Sequence, residues 1–292
     1  MLRPNMDIVT NNKVGLICGG GKFPLMVAAG AKRAGHHVVA VGLRDFADPQ
    51  IASLVDEFHW ANIVRLGQCI RILRQAGCQR AILAGSVRKA DMYGKSGIAR
   101  LVHYLPDWTT FRLWFFRLAD KRNDTVLTGI ADEFAEKGII LEDCVKYTPE
   151  SMASEGVMTS RGLSAAQEKD IEFGWRIAKD MGRLDIGQSI AVKEQEVIAV
   201  EAIEGTDQMI KRAAELCRSG GWSHIKVGKP NQDMRFDVPT IGPDTIENLH
   251  RSGAKVLCVE ARKTLMIDRE ELLRLADKYG MIVVGRRDPN GD

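Results

Sequence analysis

Residues 229–240, KPNQDMRFDVPT, bring together side chains that could act on a phosphate group. From position 233 to 238 charged and apolar residues alternate, and the charged ones are Asp233, Arg235 and Asp237. An alternation of period two predicts a strand with one polar face, along which neighbouring charged side chains lie about 7 Å apart. Asp233 and Asp237 would then be about 13 Å apart, too far to bind one ion together. Arg235 between them is expected to keep both aspartates ionised.

An ionised Asp233 suits two kinds of chemistry. It could bind a hard cation such as Mg²⁺, which typically takes one or two carboxylates and completes its shell with water and substrate phosphates. It could instead orient a water molecule for attack. Lys229 and Gln232 add donors for phosphate or sugar oxygens within the same few residues. The structural alternative is a solvated row of salt bridges on an edge strand.

Two glycine turns could bind an anion through their backbone amides. The first, CGGGKFP, lies between an apolar run and a helical pattern, and the second, AGSV, ends another apolar run. Amides at a strand-to-helix turn favour phosphate. Gly19 and Gly21 fit a dinucleotide fingerprint, but Pro24 replaces its last glycine. A phosphate or sugar cradle, a nicotinamide site and a plain tight turn all remain open.

A further candidate anion site lies in EAIEGTDQMI, where Gly205 and Thr206 offer amides and a hydroxyl at the start of a helical pattern. Glu204 and Asp207 flank them, and carboxylates repel phosphate unless a cation lies between the two. The alternative is helix capping by Thr206, with Asp207 stabilised by the helix dipole.

The segment LVHYLPDWTTFRLWFFRLADKRNDTVL concentrates aromatic residues beside arginine and lysine. Aromatic side chains next to cations suit a lipid–water boundary or an acyl-chain groove. The same composition is typical of a core helix with a solvated face. Asp124, near the end of the segment, is a candidate site residue, with helix capping as the alternative.

The elements that position these residues are predicted to form two α/β domains. Apolar runs alternate with helical patterns over 13–146, which predicts a Rossmann-like parallel sheet covered by helices. Both glycine turns fall at carboxyl ends of its strands, where such sheets bind ligands. The periodicity fails over 147–164, which predicts a linker. Over 165–287 a C-terminal α/β catalytic domain is predicted, including two strands joined at Glu194 and Gln195.

Composition narrows the class of protein. The chain has 292 residues, of which 45% are hydrophobic and 27% charged, enough for one large or two modest domains. With 41 basic and 38 acidic side chains the net charge is +3, so the basic excess typical of nucleic-acid binding is absent. Six cysteines without a CxxC pair predict reduced thiols in a cytosolic protein. No signal peptide or run of about 20 apolar residues is seen, so a soluble protein is expected, with attachment to a membrane surface left open.

Several motifs occur in one order: GLICGGGKFP, AGSV, GQSIAVK, VEAIEGTDQMI, KPNQDMRFDVPTIGP and LMIDREELLRLADKYGMIVVG. Together they resemble the UDP-2,3-diacylglucosamine pyrophosphatase family of the lipid A pathway, in its alphaproteobacterial form. The resemblance extends from about Val14 to Gly285. Its specific part is EGTD followed by KPxQDxRxDxPTIGP, whereas the glycine turn alone is not specific.

The resemblance implies hydrolysis of UDP-2,3-diacylglucosamine at the α-phosphorus to 2,3-diacylglucosamine 1-phosphate and UMP. It implies a divalent metal, Mg²⁺ or Mn²⁺, and a homodimer whose two domains hold the lipid-linked nucleotide sugar in the cleft between them. Such a protein is cytosolic or peripheral on the inner membrane, with transient surface contact. Asp233 would be the essential acid, and Lys229 and Arg235 would stabilise charge on phosphoryl oxygens.

A metal between the carboxylates of Glu204 and Asp207 and the pyrophosphate would remove the repulsion at the candidate anion site of Gly205 and Thr206. The expected metal ligands are Asp233, Asp207 and Glu204. The expected substrate contacts are Gly19, Gly20, Gly21, Gly85, Ser86, Val87, Asp124, Gln188, Lys193, Gly205, Thr206 and Gln232. Two other hypotheses stay open: a nicotinamide-dependent oxidoreductase, which rests on the glycine turn and the alternation of strands and helices, and a non-catalytic protein that binds a nucleotide sugar or lipid.

Overall fold

The structure is a computed structural model that describes residues 12–87, 105–120, 123–229 and 232–288. The chain forms two compact units. Unit 1 comprises Met1–Thr148 and Met234–Phe236, and unit 2 comprises Pro149–Asp233 and Asp237–Asp292. Among the described residues, no helix combines the length and the apolar character needed to span a membrane.

Unit 1 is built on a parallel sheet. Its strands are β1 (Lys13–Cys18), β2 (His37–Leu43), β3 (Glu57–Ala61), β4 (Arg80–Ala84) and β5 (Ile140–Leu141). All neighbouring strands pair in parallel, in the order β3-β2-β1-β4-β5. The described helices are α1 (Phe23–Arg33), α2 (Leu66–Gln75), α3 (Trp108–Arg112) and α4 (Asn123–Glu136), with a 3₁₀ turn at Pro49–Ser53 and a π-helical turn at Leu113–Arg117. The Rossmann-like sheet predicted from the sequence is confirmed.

The strand order of unit 1 reverses between β1 and β4, the point at which parallel sheets of this kind bind ligands. Both glycine turns lie there, because Gly19 follows β1 and Gly85 follows β4. The apolar runs explain the central strands: five of the six residues of β1 and six of the seven of β2 are buried. The edge strand β3, EFHWA, is mostly half-buried and carries no such run, so the sequence did not reveal it.

Unit 2 contains a mixed sheet. Its strands are β6 (Gly156–Val157), β7 (Ser189–Lys193), β8 (Glu196–Val200), β9 (Ser223–Lys226), β10 (Thr240–Ile241), β11 (Val256–Glu260), β12 (Leu265–Met266) and β13 (Ile282–Arg286). Six of them form a sheet in the order β6-β13-β11-β9-β7-β8, and β10 pairs with β12 separately. The described helices are α5 (Ala165–Arg183), α6 (Thr206–Leu216), α7 (Pro243–Arg251) and α8 (Arg269–Lys278), with a 3₁₀ turn at Pro149–Ser151.

The directions of these strands matter for the site. Strands β9, β11 and β13 are parallel to one another. Strand β7 is antiparallel to β9 and forms a hairpin with β8 through Glu194 and Gln195, as predicted. Strand β8 therefore runs in the direction of β9, and the carboxyl ends of β8, β9, β11 and β13 share one edge of the sheet.

Two sequence predictions need correction. The segment 147–164 is not a free linker, because β6 within it pairs antiparallel with β13. The strand predicted over 233–238 is wrong: the chain turns there, and the amide of Asp237 donates to the carbonyl of Asp233 at 3.0 Å. An alternation of period two can also arise in a turn. The three successive residues of this turn, Met234–Phe236, are grouped with unit 1.

Candidate active site

Charged residues end the strands at the shared edge of the unit 2 sheet. Lys226 is the last residue of β9, Glu260 of β11 and Arg286 of β13, and Glu201 directly follows β8. Neighbouring strands lie about 4.8 Å apart, so Arg286, Glu260 and Lys226 follow one another at that spacing, whereas β7 separates Glu201 from Lys226. Ligands of α/β sheets bind outside the carboxyl ends of strands, which makes this edge the candidate site.

Lys226 is the centre of the edge. Its side chain is only 9% exposed, and within the described part of the chain no hydrogen bond or ion pair reaches its ammonium group. Burial lowers the pKa of Lys226, and the negative charges of Glu201, Asp207 and Asp237 oppose that shift. A buried ammonium that lacks a direct partner is costly, so an anionic ligand would complete its environment. We refer to Lys226, Glu201, Asp207 and Asp237 as the Lys226 cluster.

Two of the predicted substrate contacts, Thr206 and Gln188, bind Glu201, a buried carboxylate that sequence reasoning missed. The hydroxyl of Thr206 donates to Glu201 at 2.8 Å, and the amide of Gln188 donates to it at 3.3 Å. Thr206 is therefore not the cap of α6, and Gly205, with φ of 82°, occupies that position. The side-chain oxygen of Gln188 is buried and has no hydrogen-bond partner within the described residues, so it is available to a ligand. The adjacent Ser189 is the register partner of Lys226.

The loop after β9 is held by Gln232. Its side-chain oxygen accepts from the amide of Lys229 at 2.9 Å, and its amide nitrogen donates to the carboxylate of Asp237 at 2.9 Å. The ammonium of Lys229 lies 2.5 Å from the carboxylate of Asp185, so it is directed to a surface ion pair. The turn links the backbones of Asp233 and Asp237 directly, which overturns the predicted spacing of about 13 Å along a strand.

Glu260 positions the beginning of this loop. Its side chain is 1% exposed and accepts from the amide of Gly228 at 2.8 Å. Lys179 and Lys263 each place an ammonium 3.1 Å from its carboxylate. A carboxylate buried with two cations and an amide donor is fully paired, so it fixes the backbone that leads to Asp233.

Comparison with known proteins identifies the family of this chain. Residues 13–151 match the family model described as the LpxI N-terminal domain, and residues 154–284 match the LpxI C-terminal domain. The chain belongs to the LpxI family. The UDP-2,3-diacylglucosamine pyrophosphatase LpxI of Caulobacter vibrioides is 34% identical over 282 residues, which cover 94% of this chain and 97% of that protein.

Among solved structures, the chain matches the biotin carboxylase domain of Hydrogenobacter thermophilus 2-oxoglutarate carboxylase at 14% identity. The match covers 71% of this chain and 41% of that chain, with a TM-score of 0.27. So low a score supports no conclusion about the fold or function of this LpxI-family chain.

The three predicted metal ligands are not brought together. Glu204 pairs with Arg212 at 2.8 Å, and Asp207 accepts from the side chain of Asn248 at 3.0 Å. In the part of the chain that the structure describes, no group of three His, Cys, Asp or Glu residues is arranged to hold a metal. A site made of protein ligands alone therefore does not fit. A Mg²⁺ that takes one or two carboxylates and completes its shell with substrate phosphates does fit an edge where the negative charges of Asp207 and Asp237 act on Lys226.

The glycine turns of unit 1 contact each other. The amide of Gly20 donates to the carbonyl of Ser86 at 2.8 Å, and the amide of Ser86 returns a bond to Gly20 at 3.0 Å. The amide of Gly19 is bonded to Ala84 at 2.8 Å. These three amides serve the backbone, so a phosphate cradle would need the remaining ones. Gly21 has open space around it and Val87 is exposed, and their role in binding stays a prediction.

Three further predicted residues have other contacts or lie outside the described side chains. The ammonium of Lys193 binds Ser219 and the carbonyl of Gly220, at the opposite end of β7 from Gln188. The guanidinium of Arg235 lies 4.9 Å from the ring centre of Phe236, a cation–π contact within unit 1. Asp124 is part of α4, but its side chain is outside the described part of the structure.

The aromatic segment is not a core helix. Trp108, Phe115 and Phe116 are 71%, 62% and 72% exposed, whereas Leu113 is the one residue of the α3 helix and the π-helical turn that is buried. The structure therefore contradicts the interpretation of this segment as a core helix with a solvated face. The lipid-boundary interpretation remains as a prediction.

Proposed function

We propose that this LpxI-family chain hydrolyses UDP-2,3-diacylglucosamine to 2,3-diacylglucosamine 1-phosphate and UMP in lipid A biosynthesis. The observation that carries the proposal is the buried ammonium of Lys226, which has no direct partner in the described residues and lies among carboxylates at the carboxyl edge of the unit 2 sheet. The name of the Caulobacter relative, similar over nearly the whole of both chains, supports the choice of substrate.

Attack of water on the α-phosphorus forms a new P–O bond and breaks the bond between the α-phosphorus and the bridging oxygen. The bridging electron pair stays with the sugar 1-phosphate, and a proton leaves the water. Lys226 would stabilise the negative charge that develops on the phosphoryl oxygens, because a fixed cation in a site poor in water acts strongly there. Gln188 would orient the substrate through its side-chain oxygen, which has no partner among the described residues.

Asp233 is the proposed acceptor of the proton or ligand of the cation. It lies at the end of the loop that Glu260 and Gln232 hold in place. The cation, Mg²⁺ or Mn²⁺, would be held by Asp233 and Asp207, since Glu204 is engaged by Arg212. When bound, such an ion supplies Lewis-acid neutralisation of the pyrophosphate oxygens. Lys229 is a weaker candidate for charge stabilisation than Lys226, because Asp185 already pairs with it.

The remaining proposals concern assembly and place. We propose a homodimer, by analogy with the family, and sedimentation velocity measures it directly. The substrate carries two acyl chains and therefore partitions into a bilayer. We propose that the protein acts from the cytosol at the surface of the inner membrane, in transient contact with it.

The test is product analysis with purified protein, detergent-dispersed substrate and Mg²⁺ or Mn²⁺ in ¹⁸O-labelled water. Wild type should release UMP, with the label in UMP because water attacks the α-phosphorus. Asp233→Ala should lower turnover by about 10³-fold while substrate binding persists, as expected for loss of a general base or metal ligand.

Asp180→Ala is the matched control, because Asp180 is exposed on α5 and forms a local ion pair with Arg183. It should leave turnover unchanged. Lipid binding without any UMP, with either metal supplied, would favour a non-catalytic carrier. Normal turnover in Asp233→Ala would remove that residue from the mechanism.

A further inference from the structure

Unit 1 exposes a contiguous set of apolar side chains that we call the aromatic face: Leu105, Trp108, Phe111, Phe115 and Phe116. The rings of the four aromatic residues pack around Phe111. Trp108 stacks on Phe111 with ring centres 5.6 Å apart, and Phe115 and Phe116 lie 4.8 Å and 6.0 Å from the same ring. Exposed apolar clusters of this kind usually mark an interaction surface.

The segment that carries the aromatic face is firmly attached on its other side. Asp107 accepts from the amide of Thr110 at 2.9 Å and from the amide of Gln68 at 3.0 Å, which joins α3 to the start of α2. Arg112 and Arg117 both bind the fully buried carboxylate of Glu133 on α4, at 2.8 Å and 2.9 Å. The attachment uses polar groups and leaves the rings outward, so their exposure is a property of the fold.

Cations lie beside the aromatic face at Leu105 and Trp108. A groove of about 510 Å³ is lined by Arg65 and Arg71 together with Leu105 and Trp108. A neighbouring groove of about 450 Å³ shares Arg71 and adds two further cations, Arg74 and Lys137. Within the described residues, none of these four cations forms an ion pair. Asp107, which also lines the larger groove, is already engaged by the amides of Thr110 and Gln68.

We propose that the aromatic face and its cationic rim dock this protein on a bilayer of anionic phospholipid. Aromatic rings favour the boundary between acyl chains and headgroups, and arginines beside them attract headgroup phosphates. A second copy is the less suitable occupant, because a two-fold contact would bring two cationic rims together. The inference rests on unit 1 alone and does not depend on the hydrolysis proposed for unit 2.

The experiment is flotation of the full chain with vesicles of phosphatidylcholine, with and without phosphatidylglycerol. Wild type should bind the anionic vesicles preferentially. The variant Trp108→Ser/Phe115→Ser/Phe116→Ser should lose at least about tenfold in vesicle affinity. Arg71→Glu/Arg74→Glu should lose the preference for anionic lipid. Circular dichroism and a melting curve show whether each variant is folded.

The matched control is Leu184→Ser/Leu216→Ser, which removes two leucines of unit 2 that are 69% and 66% exposed. It should leave vesicle binding unchanged. Equal vesicle binding by wild type and the aromatic triple variant would overturn the proposal. A triple variant that changes the sedimentation coefficient but not the vesicle affinity would show that a second copy covers the face, and would overturn it too.

Hydrolysis of detergent-dispersed substrate separates this inference from the proposed function. The triple variant should keep the wild-type KM there, because docking on a bilayer is bypassed. A raised KM with unchanged vesicle binding would assign the face to the acyl chains of the substrate and overturn docking. Absence of hydrolysis in wild type would refute the proposed activity, and the vesicle result would still decide the docking.

Discussion

The two units carry glycine-rich or polar loops at the carboxyl ends of their strands, but the polar groups at these ends differ in whether they have hydrogen-bond partners. In unit 1, Gly20 and Ser86 bond to each other through their backbones. In unit 2, the equivalent edge carries a buried ammonium at Lys226 and a buried side-chain oxygen at Gln188, neither with a hydrogen-bond partner in the described residues. The two backbone amides of the first arrangement are satisfied by each other, whereas the ammonium of the second lies near carboxylates without a direct hydrogen bond from any described residue.

The comparison shows that topology alone does not locate chemistry. A switch point between β1 and β4 and glycines beside it are typical of a nucleotide site, and the sequence favoured that turn. The charged edge of unit 2 has less familiar topology but the more reactive groups. We therefore propose that catalysis takes place in unit 2 rather than at the glycine turns of unit 1.

The largest effect is expected at Lys226. Lys226→Met should lower kcat by about 10²- to 10³-fold, because it removes a fixed cation from the reacting phosphate. Lys226→Arg should keep a substantial part of the rate, since a cation is retained. If Lys226→Met released UMP at the wild-type rate, the charged edge would not be the catalytic site.

The pH profile of kcat/KM adds a second measurement on the same residue. Burial lowers the pKa of Lys226, so the ammonium loses its proton at a pH below the ordinary value for lysine of about 10.4. The wild-type rate should therefore fall on the alkaline side before that pH. The fall should move to higher pH in Lys226→Arg, because guanidinium stays protonated.

Gly85 and Gly21 form a matched pair in unit 1. Both have positive φ, but a Cβ at Gly85 would lie 2.7 Å from the carbonyl oxygen of Gly20, whereas one at Gly21 meets open space. Gly85→Ala should lower the free energy of unfolding by about 3 kcal/mol. Gly21→Ala should cost only about 1 kcal/mol of backbone strain. Urea unfolding measures both.

The same pair tests the contrast between the units. Turnover in Gly21→Ala should stay near the wild-type value if unit 1 uses its turns structurally. A large loss of substrate affinity with little loss of stability would return the turn to the role that the sequence suggested.

His224 should make unit 2 sensitive to acid. Burial, and then the charge of Lys226, lowers the pKa of His224 to about 3. The unfolded chain takes up this proton near pH 6.5, so stability is intact above that pH and is lost as the pH falls toward 3. The slope should approach about 1.4 kcal/mol per pH unit. The free energy of unfolding of His224→Leu, measured by urea at pH 7 and pH 5, should depend less on pH.

The smallest effect is expected at the surface pair of Lys229 and Asp185. Asp185→Asn should change the free energy of unfolding by less than about 1 kcal/mol, because the pair is partly exposed. Turnover should change little. A marked rise in kcat/KM would mean that Lys229, once released, acts on phosphate as the sequence alone suggested.

Long apolar runs predicted the central strands of both units correctly, including the hairpin of β7 and β8. The missed strands are β3, which carries no apolar run, and β5, β6, β10 and β12, which have two residues each, too few to show a period. Lys226 was missed because a single lysine within HIKVG resembles an ordinary strand residue. A lone lysine in the middle of a stretch predicted to be a strand is a signal that could have found it.

Of the candidate site, sequence reasoning grouped Gln188 and Thr206 from separate motifs, and the structure places both against Glu201. It did not foresee the turn at Asp233, since an alternation of period two does not distinguish a strand from a turn. It also could not tell the outward side of the aromatic segment, which depends on the distant Glu133 on α4.

The alternation of charge along the unit 2 sheet has a consequence for how fast substrate arrives. Arg286, Glu260 and Lys226 end three neighbouring strands about 4.8 Å apart, and Glu201 lies beyond β7 at about twice that spacing from Lys226. Because their signs alternate, their fields largely cancel beyond about one Debye length, roughly 8 Å. This edge therefore exerts little long-range pull on a diphosphate. We expect association rates that hardly change with ionic strength, so that capture depends on encounter within a plane of lipid and on contact at short range.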